Sequence, residues 1–288
     1  MQEDGFRAFS AGKVDVPVVG YLKQYKPPGS YHIKYGLIEN DEVWVTKICG
    51  GPSSLPLKGM MVVISTQTGE PLAILQDDGY LTQLRTAIAG LISAKSLAPK
   101  TINAIGVVGT GVQARMQVEI LKDWTTCRNL FVWGRSIEKV KKYKQEMEEK
   151  GFIVTIAETT KELGKNSNLI ITTTSSREPI LYAQDVQPDT HITAMGADCP
   201  GKIELDPQIF TKADIVSVDS RSQCFDHGEI YSAYKNKLIK DEEVFELGEI
   251  IADSSLGRKN DNQITISDLT GVAVQDIQIA KAVLSDCG

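Results

Sequence analysis

The sequence predicts an α/β protein built from a Rossmann-type doubly wound parallel sheet and a smaller, discontinuous β-rich (α+β) domain. Three observations predict it. From Thr101 onward, short apolar strand candidates alternate with helical segments, the pattern of a parallel sheet covered on both faces. One strand-to-helix junction reads G-T-G-V-Q-A, Gly109 to Ala114. Before it, residues 1–100 carry the Pro, Gly and Asn punctuation of short strands and turns.

In the first stretch, "YHIKYGLI" and "EVWVTKI" flank the polar turn "ENDE", and "MMVVIST" and "EPLAIL" flank "QTG"; each is a hairpin signal. In "LTQLRTAIAGLISAKSLA" the period changes. Leu84, Ala87, Ile88, Leu91 and Ile92 recur at helical spacing, and Ala98-Pro99 closes the run. "TINAIGVVG" then reads as a buried strand, "VQARMQVEILKDW" as a helix, "NLFVWG" as a strand, "SIEKVKKYKQEMEEK" as a charged amphipathic helix and "FIVTIAE" as a strand. "NLIITTT", "HITAMG" and "DIVSVD" follow as further strands. The tail "ISDLTGVAVQDIQIAKAVLSDC" is one more helix and is expected to return to the first domain. The expected domains are thus 1–100 plus 269–288, and 101–268.

Composition excludes several classes. With 288 residues, 42% hydrophobic and 24% charged, the chain can bury a full core. A net charge of −6 argues against nucleic acid or anionic lipid as partner, because both require concentrated Lys and Arg. Cysteines at 49, 127, 199, 224 and 287 show no C-x-x-C spacing, so neither a disulfide framework nor a zinc site is signalled, and a reducing cytoplasm is the expected compartment. His32, His191 and His227 are scattered; no metal is expected, and structural roles are. No apolar run approaches a membrane span and no signal peptide is evident.

Gly109, Thr110, Gly111, Val112, Gln113 and Ala114 form G-x-G-x-x-A between strand and helix. The first Gly permits the tight turn, the second lets a pyrophosphate reach the backbone, and Ala114 permits close helix packing. A dinucleotide is the expected cofactor, bound by the helix N-terminus. The next strand ends Trp133-Gly134-Arg135-Ser136, with no acid. Arg135 and Ser136 suit a ribose 2′-phosphate, which favours NADP(H) and leaves NAD(H) possible.

Residues just after the later strands are candidates to surround the nicotinamide. These are Thr173 and Thr174 in "IITTTSSRE", and Met195, Gly196 and Asp198 in "ITAMGADCPGK". Gly196 and Gly201 are expected to let the backbone bend around a ligand, and Pro200 to stiffen the turn. Arg85, alone between Leu84 and Thr86 at a helix start, suits bidentate capture of a carboxylate. Lys47 is placed at a strand end before a flexible Gly-Gly turn. Pairing of Arg85 with Asp77 or Asp78, and simple solvation of Lys47, remain open readings.

With "KI" at 47–48, "TGEPLAIL", "LTQLRTAIAGLISAKSLAP", "GVVGTGVQARMQ", "GADCPGKIELDP", "HGEI" and "TGVAVQDIQIA" occurring in this order, the chain resembles the ornithine cyclodeaminase/mu-crystallin family over most of residues 20–285. The resemblance implies a dinucleotide domain joined to a β-rich substrate and homodimerisation domain, with the substrate between them. It implies that Lys47 and Arg85 hold the substrate, with Lys34 as a further contact, and that Asp198 moves protons. It places Thr82, Lys202 and Thr270 near the cofactor.

Three activities follow as expectations. The leading one is NAD(P)-dependent hydride transfer at the α-carbon of an amino or imino acid in the ornithine cyclodeaminase manner, L-ornithine giving L-proline and ammonia. In it Arg85 and Lys47 fix the α-carbon opposite the nicotinamide, and Asp198 serves as proton shuttle and ammonium-binding charge. The second is an NADPH-dependent cyclic-imine reductase, such as one acting on pyrroline-2-carboxylate, or an amino-acid dehydrogenase. The third is a non-catalytic store for NADPH and a small ligand, as mu-crystallins show the fold can be.

Overall fold

The apolar run from Ile105 to Val108 is fully buried because it lies inside an all-parallel sheet with neighbours on both sides. The computed structural model describes residues 1–287, without the side chain of Cys287. The chain divides into two compact units, one of Met1–Thr86 with the segment from Gly271 onward, the other of Ala87–Thr270.

The first unit holds helix α1 (Gln2–Ser10), strands β1 (Val14–Asp15), β2 (Gly20–Tyr25), β3 (Pro28–Ile38), β4 (Val43–Pro52), β5 (Lys58–Ser65) and β6 (Pro71–Leu75), and the start of α2 (Tyr80–Leu97). Its strands form one antiparallel sheet in which β3, β4, β5 and β6 are successive neighbours. Both expected hairpins are present, and Asn40 turns the first at φ 61, a conformation that Asn tolerates better than most residues.

The second unit continues with β7 (Ile105–Val108), α3 (Val112–Leu121), β8 (Asn129–Trp133), α4 (Ile137–Glu149), β9 (Ile153–Ile156), α5 (Thr160–Asn166), β10 (Leu169–Thr172) and β11 (Arg177–Leu181). After these come β12 (His191–Ala194), β13 (Ile203–Leu205), β14 (Ile215–Val218), α6 (Arg221–His227), α7 (Ile230–Lys235), β15 (Val244–Glu246), α8 (Leu247–Ala252) and β16 (Thr265–Asp268). Helix α9 (Ala273–Cys287) belongs to the first unit. The large sheet runs β15-β14-β16-β12-β10-β7-β8-β9. The order in which the chain lays down its strands therefore reverses between β7 and β10, the switch point where α/β sheets open a ligand crevice.

Several elements differ from the sequence-based expectation. Residues 2–10 form a helix rather than strands and turns, with Phe6 buried. Its Gly5 lies so close to Gln278 of α9 that a Cβ there would come within 2.9 Å of that side chain. β2 and the small parallel pair β11–β13 are too short, and β2 too exposed, to show a clear period. β4 continues through Gly50 and Gly51 to Pro52, so these glycines do not begin a flexible turn. A Cβ on Gly50 would lie 2.1 Å from the Ser30 carbonyl oxygen across the ladder.

His191 begins β12 with no exposure. Its Nδ1 lies 2.8 Å from Thr265 Oγ1, and its Nε2 lies 3.1 Å from Ser93 Oγ and 3.0 Å from Thr193 Oγ1. Burial, reinforced by the charge of Arg258, pushes its pKa down to about 3. Above pH 6.5 both folded and unfolded chains are neutral here. Between 6.5 and about 3 only the unfolded chain takes up the proton. Unfolding in urea across this range should show His191 withdrawing about 1.4 kcal/mol of stability per pH unit of acidification, a slope that His191→Asn loses.

Candidate functional site

The N-termini of the helices in the parallel-sheet unit differ in one respect. α4, α5 and α6 start on Ser136, Thr159 and Ser220, whose hydroxyls accept N–H bonds from the first turn. α3 starts on Gly111 with no side-chain cap, which leaves its first N–H groups and the positive end of its dipole available to an anion. Gly109 takes φ +120, and a Cβ there would meet Thr173 Oγ1 at 2.6 Å. A Cβ on Gly111 would meet nothing within 4 Å. The first glycine is thus required by the fold, and the second leaves open space.

Gly109, Thr110, Gly111, Trp133, Gly134, Arg135, Ser136, Lys139 and Thr173 to Ser175 line most of a pocket of ≈ 290 Å³. Val112, Gln113 and Ala114 form the first turn of α3. Arg115 braces the loop by donating to the Thr110 and Gly111 carbonyls while pairing with Glu146. The residues present fit a dinucleotide phosphate. Arg135 is exposed at the rim. Ser136 lines the pocket too, but its hydroxyl caps α4 and donates to Glu138 Oε2 at 2.8 Å. Lys139, which the sequence reading passed over, is a second cation in this lining.

The loops after β10 and β12 carry the other candidates of this unit. Met195 accepts a contact from the Gln117 amide. Asp198 is 49% exposed and ion-paired with Lys202. Burial opposes the charge of Lys202, but Asp198 more than offsets it and raises the lysine pKa. Gly196 has a reason different from ligand-induced bending, since a Cβ would lie 2.2 Å from both Glu204 Oε2 and the Thr174 carbonyl oxygen. Thr270 is buried, and its hydroxyl donates to Asp219 Oδ1 at 3.0 Å rather than lining the pocket.

In the first unit, Lys34 and Lys47 are direct partners across the β3–β4 ladder, so their stems leave the same face of the sheet. Lys47 sits in mid-strand, not at a strand end, and is 0% exposed. Its Nζ donates to Asp276 Oδ1 at 2.9 Å. Arg85 Nε is 3.1 Å from the same oxygen, and Arg85 Nη1 donates to Gln275 Oε1 at 3.0 Å. Lys34 Nζ donates to the Gly271 carbonyl. Arg85 therefore pairs with neither Asp77 nor Asp78; the first bonds the N–H groups of Gly79 and Leu81, and the second pairs with Lys58. Thr82 lies one turn before Arg85, its carbonyl accepting from Thr86, and is not part of the cluster.

Burial and then the charge of Arg85 lower the Lys47 pKa, against the pull of Asp276. Burial likewise opposes ionisation of Asp276, but the charges of Lys47 and Arg85 outweigh it and hold the carboxyl below its ordinary value. Three cationic side chains thus surround one carboxylate. The arrangement can take a further small anion, because buried charge is stable only when compensated. Asp276 was not singled out from the sequence; its one signal was an acid inside the otherwise apolar and amide run "VAVQDIQIA". Glu204 and Glu229 were also passed over, although both stand in quoted motifs.

Among the described residues no group of three or more His, Cys, Asp or Glu could hold a metal ion, and no helix is long and apolar enough to cross a membrane. The profile of the ornithine cyclodeaminase/mu-crystallin family matches residues 2–287. The chain belongs to this family. The alanine dehydrogenase of Archaeoglobus fulgidus is 36% identical over 288 residues, covering 98% of this chain and 87% of that protein. An archaeal alanine dehydrogenase dimer with bound NAD superimposes with a TM-score of 0.91 at 34% identity, over 100% of this chain and 91% of the other. The Δ1-pyrroline-2-carboxylate reductase of Thermococcus litoralis, in complex with NADH and L-proline, has a TM-score of 0.90 at 27% identity, over 97% and 89% of the chains. The protein is therefore an NAD(P)-dependent enzyme of the ornithine cyclodeaminase/mu-crystallin family, of the cyclodeaminase, dehydrogenase or imino-acid reductase kind.

Two outcomes test these placements. Gly111→Ala should weaken cofactor binding about tenfold or more, measured by fluorescence of the reduced nicotinamide, while stability changes by no more than about 1 kcal/mol, since its backbone is at φ −83 and only a helix N-cap is altered. Asp276→Asn leaves Lys47 and Arg85 buried without their shared countercharge, so denaturant unfolding should show a loss of about 3–5 kcal/mol. A loss below about 1 kcal/mol would show that the carboxylate does not organise the cluster.

Proposed function

We propose that the protein interconverts an α-imino acid and the corresponding α-amino acid with a nicotinamide cofactor, as an imino-acid reductase or amino-acid dehydrogenase. The observation that carries this reading is the excess of cationic side chains, Lys34, Lys47 and Arg85, over the single carboxylate of Asp276. Lys34 and Arg85, 8% and 6% exposed, are the groups that would take a substrate carboxylate. Lys47 supplies positive charge from beneath and, through Asp276, fixes the direction of Arg85. Such a site orients an amino or imino acid by its constant end.

When bound, the nicotinamide accepts or delivers a hydride at the substrate α-carbon. The α3 N-terminus and the loop from Gly109 would hold its pyrophosphate. By the family resemblance, Asp198 would hydrogen-bond the substrate nitrogen and stabilise its positive charge. Its ion pair with Lys202 supports this orienting role over that of a strong base, because a carboxylate already facing an ammonium gives up acceptor capacity. A second reading, ornithine cyclodeaminase-type conversion of L-ornithine to L-proline and ammonia, draws support from the retained "GADCPGK" segment, in which Asp198 would shuttle the proton.

For the cofactor, NADP(H) is the favoured form. Arg135 and Lys139 line the pocket where the ribose of a bound dinucleotide lies by analogy with Rossmann sites, and two cations suit a 2′-phosphate. Glu138, held ionised by its bond from Ser136, works against it and keeps NAD(H) in contention, the form present in the two structures compared.

A homodimer is proposed through the first unit's sheet. Alternation puts Tyr31, Tyr35, Ile48, Met60 and Ile74 on the face opposite Lys34 and Lys47. All five are exposed, an apolar patch of the kind that proteins cover by association.

One set of assays tests the proposal. A cyclic or acyclic α-imino acid with NADPH should consume the cofactor, faster than with NADH, and the amino acid should drive the reverse reaction. Release of ammonia from L-ornithine with catalytic NAD(P) and no net change in nicotinamide absorbance would replace the first reading by the second. Equal or tighter binding of NADH than NADPH would remove the cofactor preference alone.

A further inference from the structure

We propose that Glu204 is a positioning residue for the cofactor site, its carboxylate fastening the backbones of the two loops that follow β10 and β12. One oxygen, Oε1, accepts the N–H of Thr174; the other, Oε2, accepts the N–H of Gly196 at 2.9 Å. Thr174 lies in the pocket lining beside Thr173 and Ser175. Gly196 opens the loop that carries Asp198. A single side chain therefore ties together the starts of two loops whose far ends meet where the Ile203 N–H donates to the Ser176 carbonyl.

The fit is close on every side. Glu204 has no exposure, and the missing Cβ of Gly196 is the space that its carboxyl occupies. Its own N–H donates to both oxygens of Glu229, each at 2.9 Å, and Leu205 N–H donates to Glu229 Oε2 at 2.9 Å. This anchors the strand that bears the clamp. Behind Glu229, Asp268 Oδ2 accepts the Ile230 N–H at 3.0 Å. The charged and titratable groups facing Glu204 are Glu229 at the start of α7 and Lys202 on the segment entering β13, with Asp268 at the end of β16 acting on Glu229 from beyond.

The clamp has a direction with pH. As a carboxylate, Glu204 offers acceptors to both N–H groups. Once protonated, one oxygen carries a hydrogen and no longer serves its loop as well. Burial raises the Glu204 pKa to about 7, so the two-loop clamp is complete above neutrality and weakened below it. Gln at this position has one acceptor and one donor at all pH values and reproduces the protonated acid.

The test is affinity for NADH, chosen because it lacks the 2′-phosphate that itself titrates near pH 6. Wild-type affinity should tighten by about tenfold from about pH 6 to about pH 8, the range spanning a pKa near 7. Glu204→Gln should bind with the weaker affinity throughout. Glu229→Gln, isosteric with the protonated form that burial and the charge of Glu204 favour at that position, should keep the wild-type pH dependence. A flat wild-type profile overturns the proposal, as does Glu204→Gln binding as tightly as wild type at the upper pH or titrating as wild type does. Should Glu204→Gln fail to fold, Glu204→Asp decides. Its carboxylate is one methylene short of spanning both loops, so pH-dependent but weaker binding supports the clamp, and wild-type affinity overturns it. None of these readouts depends on the substrate, so they stand whichever activity the assays identify.

Discussion

The bond from Lys47 to Asp276, shared with Arg85, is the constraint on which the first unit depends. It joins mid-strand β4, the beginning of α2 and the first turns of α9, across 229 residues of sequence between Lys47 and Asp276. None of the three groups is tolerable alone in that place. An ammonium or carboxylate taken out of water loses several kcal/mol of solvation unless it is paired. The return of α9 to a sheet made from the other end of the chain is therefore tied to the same contacts that concentrate positive charge around Asp276. Lys281, farther along α9, pairs with Asp41 at the first hairpin and fixes the helix a second time.

In the second unit, the corresponding constraint is the absence of side chains. β7 and β10 lie side by side in register, and their following loops must pass each other at Gly109 and Thr173. No Cβ fits at Gly109, whereas at Gly111 nothing would oppose one. The difference separates a glycine that the fold needs from one whose space is left to a ligand. The same logic changes the meaning of Gly196, where the space is already filled by Glu204 and the Thr174 carbonyl.

Much of this was legible in the sequence, and the failures have physical reasons. The βαβ order and both hairpins were readable because buried strands and one-sided helices leave strong periodic patterns. α1 was not, because its buried side depends on α9 and is marked by little more than Phe6. The form of the glycine-rich loop between β7 and α3 was legible because only certain residues allow that backbone. Arg85 could be nominated from its neighbours and Lys34 only through the family resemblance, and their convergence required the β3–β4 register and the position of α9. Lys47 was misplaced because Gly50-Gly51 has the composition of a turn, although the ladder continues through it. Asp276, Glu204 and Glu229 were missed because the groups that compensate their burial lie far away in sequence, so a single acid beside apolar neighbours had no visible partner.

The segment "GADCPGKIEL" can now be divided by what each part touches. Glu204 faces inward and binds two peptide N–H groups, Gly196 makes room for it, and Asp198 with Lys202 faces outward as an ion pair. A carboxylate so paired is held in one direction, which suits the recognition of a positively charged nitrogen. Removal of a proton from that nitrogen would require Asp198 to exchange one cation for another and then to become neutral beside Lys202, whose charge favours the ionised form. Hydride transfer to an iminium makes no such demand, because charge at the nitrogen falls as the bond forms at carbon. The electrostatics of this turn therefore suit reduction of an iminium better than a ring closure that needs a carboxylate base.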